Sequence, residues 1–144
     1  MKSSAALRDC RGQALVEFAM CAVLLLAILF AVVEFGRMML CYTTIGNAAR
    51  IGARYAIVHG SNNLATTTQI QTVVNDFLRV GTVSPSTTTV TPSYPGKPDG
   101  TSSGCKDPGC RVVVTVSYPY DPLLSYFQLG SINLVSSSEG VITW

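Results

Sequence analysis

At 144 residues the chain has room for one small domain and one membrane helix. Hydrophobic residues make up 48% and charged residues only 12%, too apolar a balance for an ordinary soluble domain, and the excess sits in the first sixty residues. The net charge of +2 includes no basic patch interleaved with aromatics, so nucleic-acid binding has little support.

The first segment is a short basic leader, with Lys2, Arg8 and Arg11 against Asp9, whereas everything from Gln13 onward balances to about zero. That bias favours a cytoplasmic N-terminus and an external C-terminal part, although Arg37, Arg50 and Arg54 also follow the apolar run. The run itself, from Ala14 to Val33, is about 20 residues, or roughly 30 Å as a helix, the thickness of a bilayer's hydrocarbon core. It is longer than the roughly 7–15 apolar residues of a secretory signal, and no Ala-x-Ala-like site ends it. A lipidated Cys10 is also disfavoured, since Leu7-Arg8-Asp9 is too charged to precede such a cysteine. The apolar helix is therefore expected to be retained.

One acid, Glu17, sits near the mouth of this run. A carboxylate there is costly without a partner, which makes Glu17 a functional candidate. A second reading has it near the helix end, snorkelling to the headgroups. Both readings stand at this point. At the far end, Glu34 is an interfacial anchor with Arg37 three residues on, within side-chain reach on the same helix face.

The helical pattern continues to about Val58. Met38, Cys41, Ile45, Ala48, Gly52 and Tyr55 recur at three- and four-residue spacing and form one apolar stripe. Arg37, Thr44, Asn47, Arg50 and Arg54 fall largely off it. Ala48, Gly52 and Ala56 stack at four-residue intervals, and small residues let another backbone approach closely. Gly46 and Gly52 each cost the helix about 1 kcal/mol relative to alanine, as expected where something packs tightly. The packing partner is either the chain's own sheet or a helix in an assembly, and both can hold on different faces.

His59-Gly60 is expected to end the helix, with Gly60 in the left-handed cap position and Ser61-Asn62-Asn63 as a loop. Thr66 or Thr67 can cap a second helix to about Arg79, with Ile70, Val73, Val74, Phe77 and Leu78 on its apolar face and Gly81 as its stop. Thr87 to Thr91 suits an exposed strand. Arg111 to Tyr118 is the best strand, placing Val112, Val114, Val116 and Tyr118 on one face, with Pro119 and Pro122 ending it. Leu123 to Leu129 reads as a compact apolar connection with room for one helical turn. Ile132 to Ser137 is a third strand, and Val141 to Trp144 either continues it past Gly140 or forms a short fourth. Between the first two strands, Pro92 to Pro108 is a long exposed loop. The expected fold class is α+β: a long N-terminal membrane-spanning helix continuing into a small head of one short helix and a three- to four-stranded antiparallel sheet.

Among the five cysteines, Cys105 and Cys110 bracket Lys106-Asp107-Pro108-Gly109, a good turn sequence. In a periplasmic head an oxidised Cys105–Cys110 pair is the natural expectation. A metal site is the weaker alternative, because two thiols with no nearby histidine leave coordination unfilled. His59, the lone histidine, sits at a helix terminus, where a surface or capping role outweighs catalysis. Asp76, Asp99, Asp107, Asp121 and Glu139 are scattered without pairing signals, and no phosphate-binding loop, metal motif or nucleophile elbow is present. No enzymatic activity, cofactor, metal or small-molecule substrate is expected.

Gly12, four residues, then Glu17-Phe18 at the head of an apolar helix resembles the prepilin processing site of the type IV pilin superfamily. The wording Arg11-Gly12-Gln13-Ala14-Leu15-Val16-Glu17-Phe18, with Val33-Glu34-Phe35-Gly36-Arg37 and Ala48-Ala49-Arg50-Ile51-Gly52-Ala53-Arg54-Tyr55-Ala56, resembles the TadE-like minor pilins (pseudopilins) of the tight-adherence, or type IVc, pilus system. The turn Tyr118-Pro119-Tyr120-Asp121-Pro122-Leu123-Leu124 before a final strand is also similar to that family. The resemblance implies cleavage by a membrane-embedded prepilin peptidase between Gly12 and Gln13, and a register role for Glu17 and Phe18 in assembly. It divides the chain into a leader (1–12), a membrane helix (13–33), its continuation (34–59) and a periplasmic or extracellular head (60–144). The implied protein sits in the bacterial inner membrane, N-terminus inside, and primes, tips or couples a pilus. Its partners would be the peptidase, other pilin subunits, the assembly platform and the bilayer. The alternative is a single-pass anchor displaying a binding module that does not polymerise, with Gly12 and Glu17 incidental. A type II secretion pseudopilin is more distant, because the Gln13 start and the Ala-Ala-Arg block argue against it.

Overall fold

The computed structural model describes residues 4–59, 65–81, 83–123 and 130–143, with side chains from residue 12 onward. The expectations for Gly60, for Ser61 to Asn63, for Leu124 to Leu129 and for Trp144 fall outside the described residues.

The first element is helix α1, Ser4–Val58. It begins before the glycine, so Gly12 lies inside a helical turn and not at its edge. Ala5, Ala6, Leu7 and Arg8 are strong helix formers, and the only glycine before the apolar run is too little to stop propagation. The chain divides into two compact units, Met1–Arg37 and Met38–Trp144. In the first unit Leu15, Phe18, Met20, Leu24, Ile28, Phe30 and Val33 are all exposed, so no described residue buries these side chains.

The second unit is built on the C-terminal part of α1. Helix α2, Thr67–Arg79, starts at the N-cap Thr66, whose backbone N–H donates to Gln69 Oε1 at 2.9 Å. After one 3-10 turn, Pro85–Thr87, come strands β1 (Thr89–Gly96), β2 (Arg111–Tyr120) and β3 (Ile132–Val141). They form an antiparallel sheet in the order β1-β2-β3, with Val90 opposite Val116 and Val116 opposite Ser136. Together with α1 and α2 this makes the pilin-like α+β fold expected from the sequence.

The alternation of β2 explains the core. Val112, Val114 and Val116 are fully buried, and each stabilises by about 1.5–3 kcal/mol through the apolar area it removes from water. They meet Ile70, Val74 and Leu78 of α2, and Ile45, Ala48, Ala49, Ala53 and Ala56 of α1, in one cluster. Gly52 is a point of close approach to both: a Cβ there would lie 2.7 Å from Val74 Cγ2 and 3.1 Å from Val114 Cγ1. The small-residue stripe of α1 thus seats the chain's own helix and sheet.

Three strand boundaries differ from expectation, each for a backbone reason. β1 runs through Pro92 and Pro95 to Gly96 instead of stopping at Thr91, because it is an edge strand in which a missing N–H can face outward. Its register slips between Ser93 and Gly96, and the exposed loop shrinks to residues 97–110. Pro119 does not end β2. Pairing with β1 stops at Ser117, so residues 118–120 have only β3 as a neighbour and one edge is open to a proline. Gly140 and Val141 continue β3 as one strand, paired with Val112 and Arg111.

Candidate functional site

Gly12, Gln13, Glu17 and Phe18 all project from α1 and are exposed. Four residues of helix rise about 6 Å and return to nearly the same side, which places Gln13 and Glu17 one above the other, beside Val16, Met20 and Cys21. Glu17 makes no ion pair among the described residues. A Cβ on Gly12 would meet nothing within 4 Å, so the chain itself does not require glycine there.

At the other end of the apolar run, Arg37 Nη1 lies 3.2 Å from Glu34 Oε2, the pairing anticipated from the three-residue spacing. The carboxylate is the less exposed partner, at 16% against 42% for the arginine, so the helix surface carries one neutralised charge pair where apolar sequence gives way to polar.

In the head, Cys105 and Cys110 form a disulfide across a Cα separation of 6.0 Å. Gly109, at φ 90, turns the chain so that its N–H donates to Ile142 O at 2.8 Å, and Ile142 N–H donates to Cys110 O at 2.8 Å. The staple is therefore continuous with the end of β3. The rest of the loop is also tied down. Asp99 accepts from Thr101 N–H and Oγ1, which holds its carboxyl below the usual range. Lys106 Nζ sits 4.8 Å above the Tyr94 ring, and burial raises the Tyr94 hydroxyl pKa.

His59 stacks on Tyr55 with ring centroids 4.0 Å apart, and its Nδ1 lies 2.9 Å from the Tyr55 carbonyl. It closes the last turn of α1. Among the described residues no group of three His, Cys, Asp or Glu converges as a metal site would need.

Ala48, Gly52 and Ala56 lie in the buried face of α1 described above. The opposite side of the same segment holds a feature that the sequence reading missed. Tyr42, Thr43, Gly46, Asn47 and Arg50 of α1, with Ser136 and Ser137 of β3, line a polar groove of about 350 Å³. A sequence signal existed: Arg50 has no acid three or four residues away on either side, so no helical neighbour neutralises it. The hydroxyls that complete the groove come from 86 residues further along, which no local pattern reveals.

The family model described as TadE-like protein matches residues 12–54. No curated protein and no solved structure matches the chain significantly. The matched segment contains Gly12, Gln13, Glu17 and Phe18 together with the Glu34–Arg37 pair and the Ala-Ala-Arg block. Over residues 12–54, about a third of its length, the chain is thus similar to the TadE-like family, and that stretch includes an exposed apolar helix long enough to cross a membrane.

Proposed function

We propose that this protein is a minor pilin of the tight-adherence system, cut by a prepilin peptidase between Gly12 and Gln13 and then drawn from the inner membrane into a pilus. The TadE-like match supports a pilin-like, structural role. The observation that carries the finer reading is the combination of an apolar helix exposed from Leu15 to Phe35 with one acid near its start, Glu17, that makes no ion pair among the described residues. Such a surface requires lipid or other helices around it.

Cleavage would remove Lys2, Arg8 and Arg11 and leave an α-amino group on Gln13, mostly protonated at neutral pH because its ordinary pKa is about 8. In the bilayer Glu17 can reach the interface. In a bundle that escape is reduced, and an unpaired carboxylate must gain a cation or protonate. The α-ammonium of a neighbouring subunit's Gln13 supplies that cation and fixes axial register. The head stays outside the membrane, where the Cys105–Cys110 staple suits an oxidising compartment. Its role in this reading is to prime assembly, sit at the tip or couple the filament to its platform.

The deciding experiment is intact-mass and N-terminal mass spectrometry of the protein extracted from membranes of cells with an active prepilin peptidase. A chain starting at Gln13 is the expected result. An uncut leader would replace this reading with a non-polymerising membrane anchor.

A further inference from the structure

Arg37 is paired with Glu34, and Arg111 Nη1 lies 3.2 Å from Glu139 Oε1. Arg50 and Arg54 differ: both are exposed, one helical turn apart, and neither makes an ion pair among the described residues. Like charges at this spacing repel in an isolated helix, and no ion pair among the described residues offsets that. Beside Arg50 the groove is lined by polar residues from two elements, Tyr42 and Asn47 on α1 and Ser136 on β3, whose Oγ faces Gly46, while the Thr43 hydroxyl already donates to the Leu40 carbonyl at 2.9 Å. An arginine fork flanked by neutral donors suits a planar oxyanion.

We infer that this groove is a subunit contact, in which Arg50 binds a carboxylate from the head of a second copy of the chain, with Arg54 adding to the attraction. A lipid phosphate is the competing ligand, and the vesicle arm of the test separates the two. The complementary charge is present on the chain itself. Glu139 is held by Arg111 and Asp99 by Thr101, which leaves Asp76, Asp107 and Asp121 as exposed head acids outside such pairings. None of these acids lines the groove, so a contact between the two is heterologous. Repeated, a heterologous contact extends a filament instead of closing a dimer. The inference rests on the assembly reading but not on cleavage at Gly12.

The test uses the full-length chain in neutral detergent micelles. Arg50→Lys keeps the charge and supplies an amine, and a zero-length carbodiimide then joins that amine to any carboxylate in contact. The expected product is a covalent dimer, absent from the wild-type chain, whose peptide map links position 50 to Asp76, Asp107 or Asp121. Arg50→Glu should weaken self-association by about tenfold in sedimentation, since opposing like charges across a contact are costly. Absence of the mapped link, or unchanged association of Arg50→Glu, overturns the inference. So does Arg50-dependent flotation with phosphatidylglycerol vesicles in place of the dimer, because it assigns the groove to lipid. An uncut leader together with the mapped link would sink the processing reading alone.

Discussion

Gly52 of α1 lies directly beneath Val74 of α2, so close that a Cβ at position 52 would stand 2.7 Å from Val74 Cγ2. The valine is β-branched and held in the core by Ile70 and Val114, so it has little room to turn away. It is one of the contacts by which the C-terminal part of α1 packs into the core cluster.

Gly52→Ala should therefore destabilise the head by about 1–2 kcal/mol, overpacking of up to ~3 kcal/mol being partly offset by the ~1 kcal/mol gain in helix propensity. Gly36→Ala is the control, since a Cβ there meets nothing within 4 Å. It should leave the head's stability unchanged. Denaturant titration of both variants, followed by the head's circular dichroism, checks the contrast. Equal effects would mean that Gly52 is not a packing constraint.

The disulfide gives a second prediction. Closing so short a loop stabilises by about 2 kcal/mol on the chain-entropy account. Cys105→Ala, which spares the fully buried Cys110, should lower the unfolding free energy by that amount. A reductant should lower wild type towards the same value and leave the variant alone. If the reductant affects both equally, the bond is not the source of the difference.

Gln69 offers a third. Its Oε1 accepts the Thr66 N–H that would otherwise be unpaired at the start of α2. Gln69→Ala should cost about 0.5–1 kcal/mol and loosen the first turn of α2. Amide hydrogen exchange should rise at Thr66 and its neighbours while Leu78, at the buried end, stays protected. Uniform loss of protection would point to global destabilisation instead.

Glu17→Ala addresses assembly. Because Glu17 makes no ion pair among the described residues, the substitution should leave folding, membrane insertion and the position of any N-terminal cut unchanged. It should nonetheless reduce recovery of the subunit in sheared pili to background. Normal recovery would reduce Glu17 to a headgroup-seeking side chain.

The linear chain determined a good deal on its own. An apolar run of about 20 residues needs no tertiary context to be helical and lipid-compatible, because its backbone hydrogen bonds are all local. The apolar face of α2, the valine alternation of β2 and the Cys105–Cys110 turn are likewise short-range patterns, readable from 3.6- and 2-residue periods and from turn chemistry. Other features were decided only when distant segments met. Pro119 stays within a strand because β1 stops short of it, and β1 tolerates Pro92 because it is an edge. Whether Ala48, Gly52 and Ala56 face the chain's own sheet or another helix depends on what lands on them, and here it is Val74 and Val114 that land on Gly52. The groove beside Arg50 exists because β3 lies over the helix at Gly46, where a Cβ would sit 3.5 Å from Ser136 Oγ. Local periodicity fixes which face of an element is apolar, but the choice of covering surface is a long-range packing outcome that no sequence window contains.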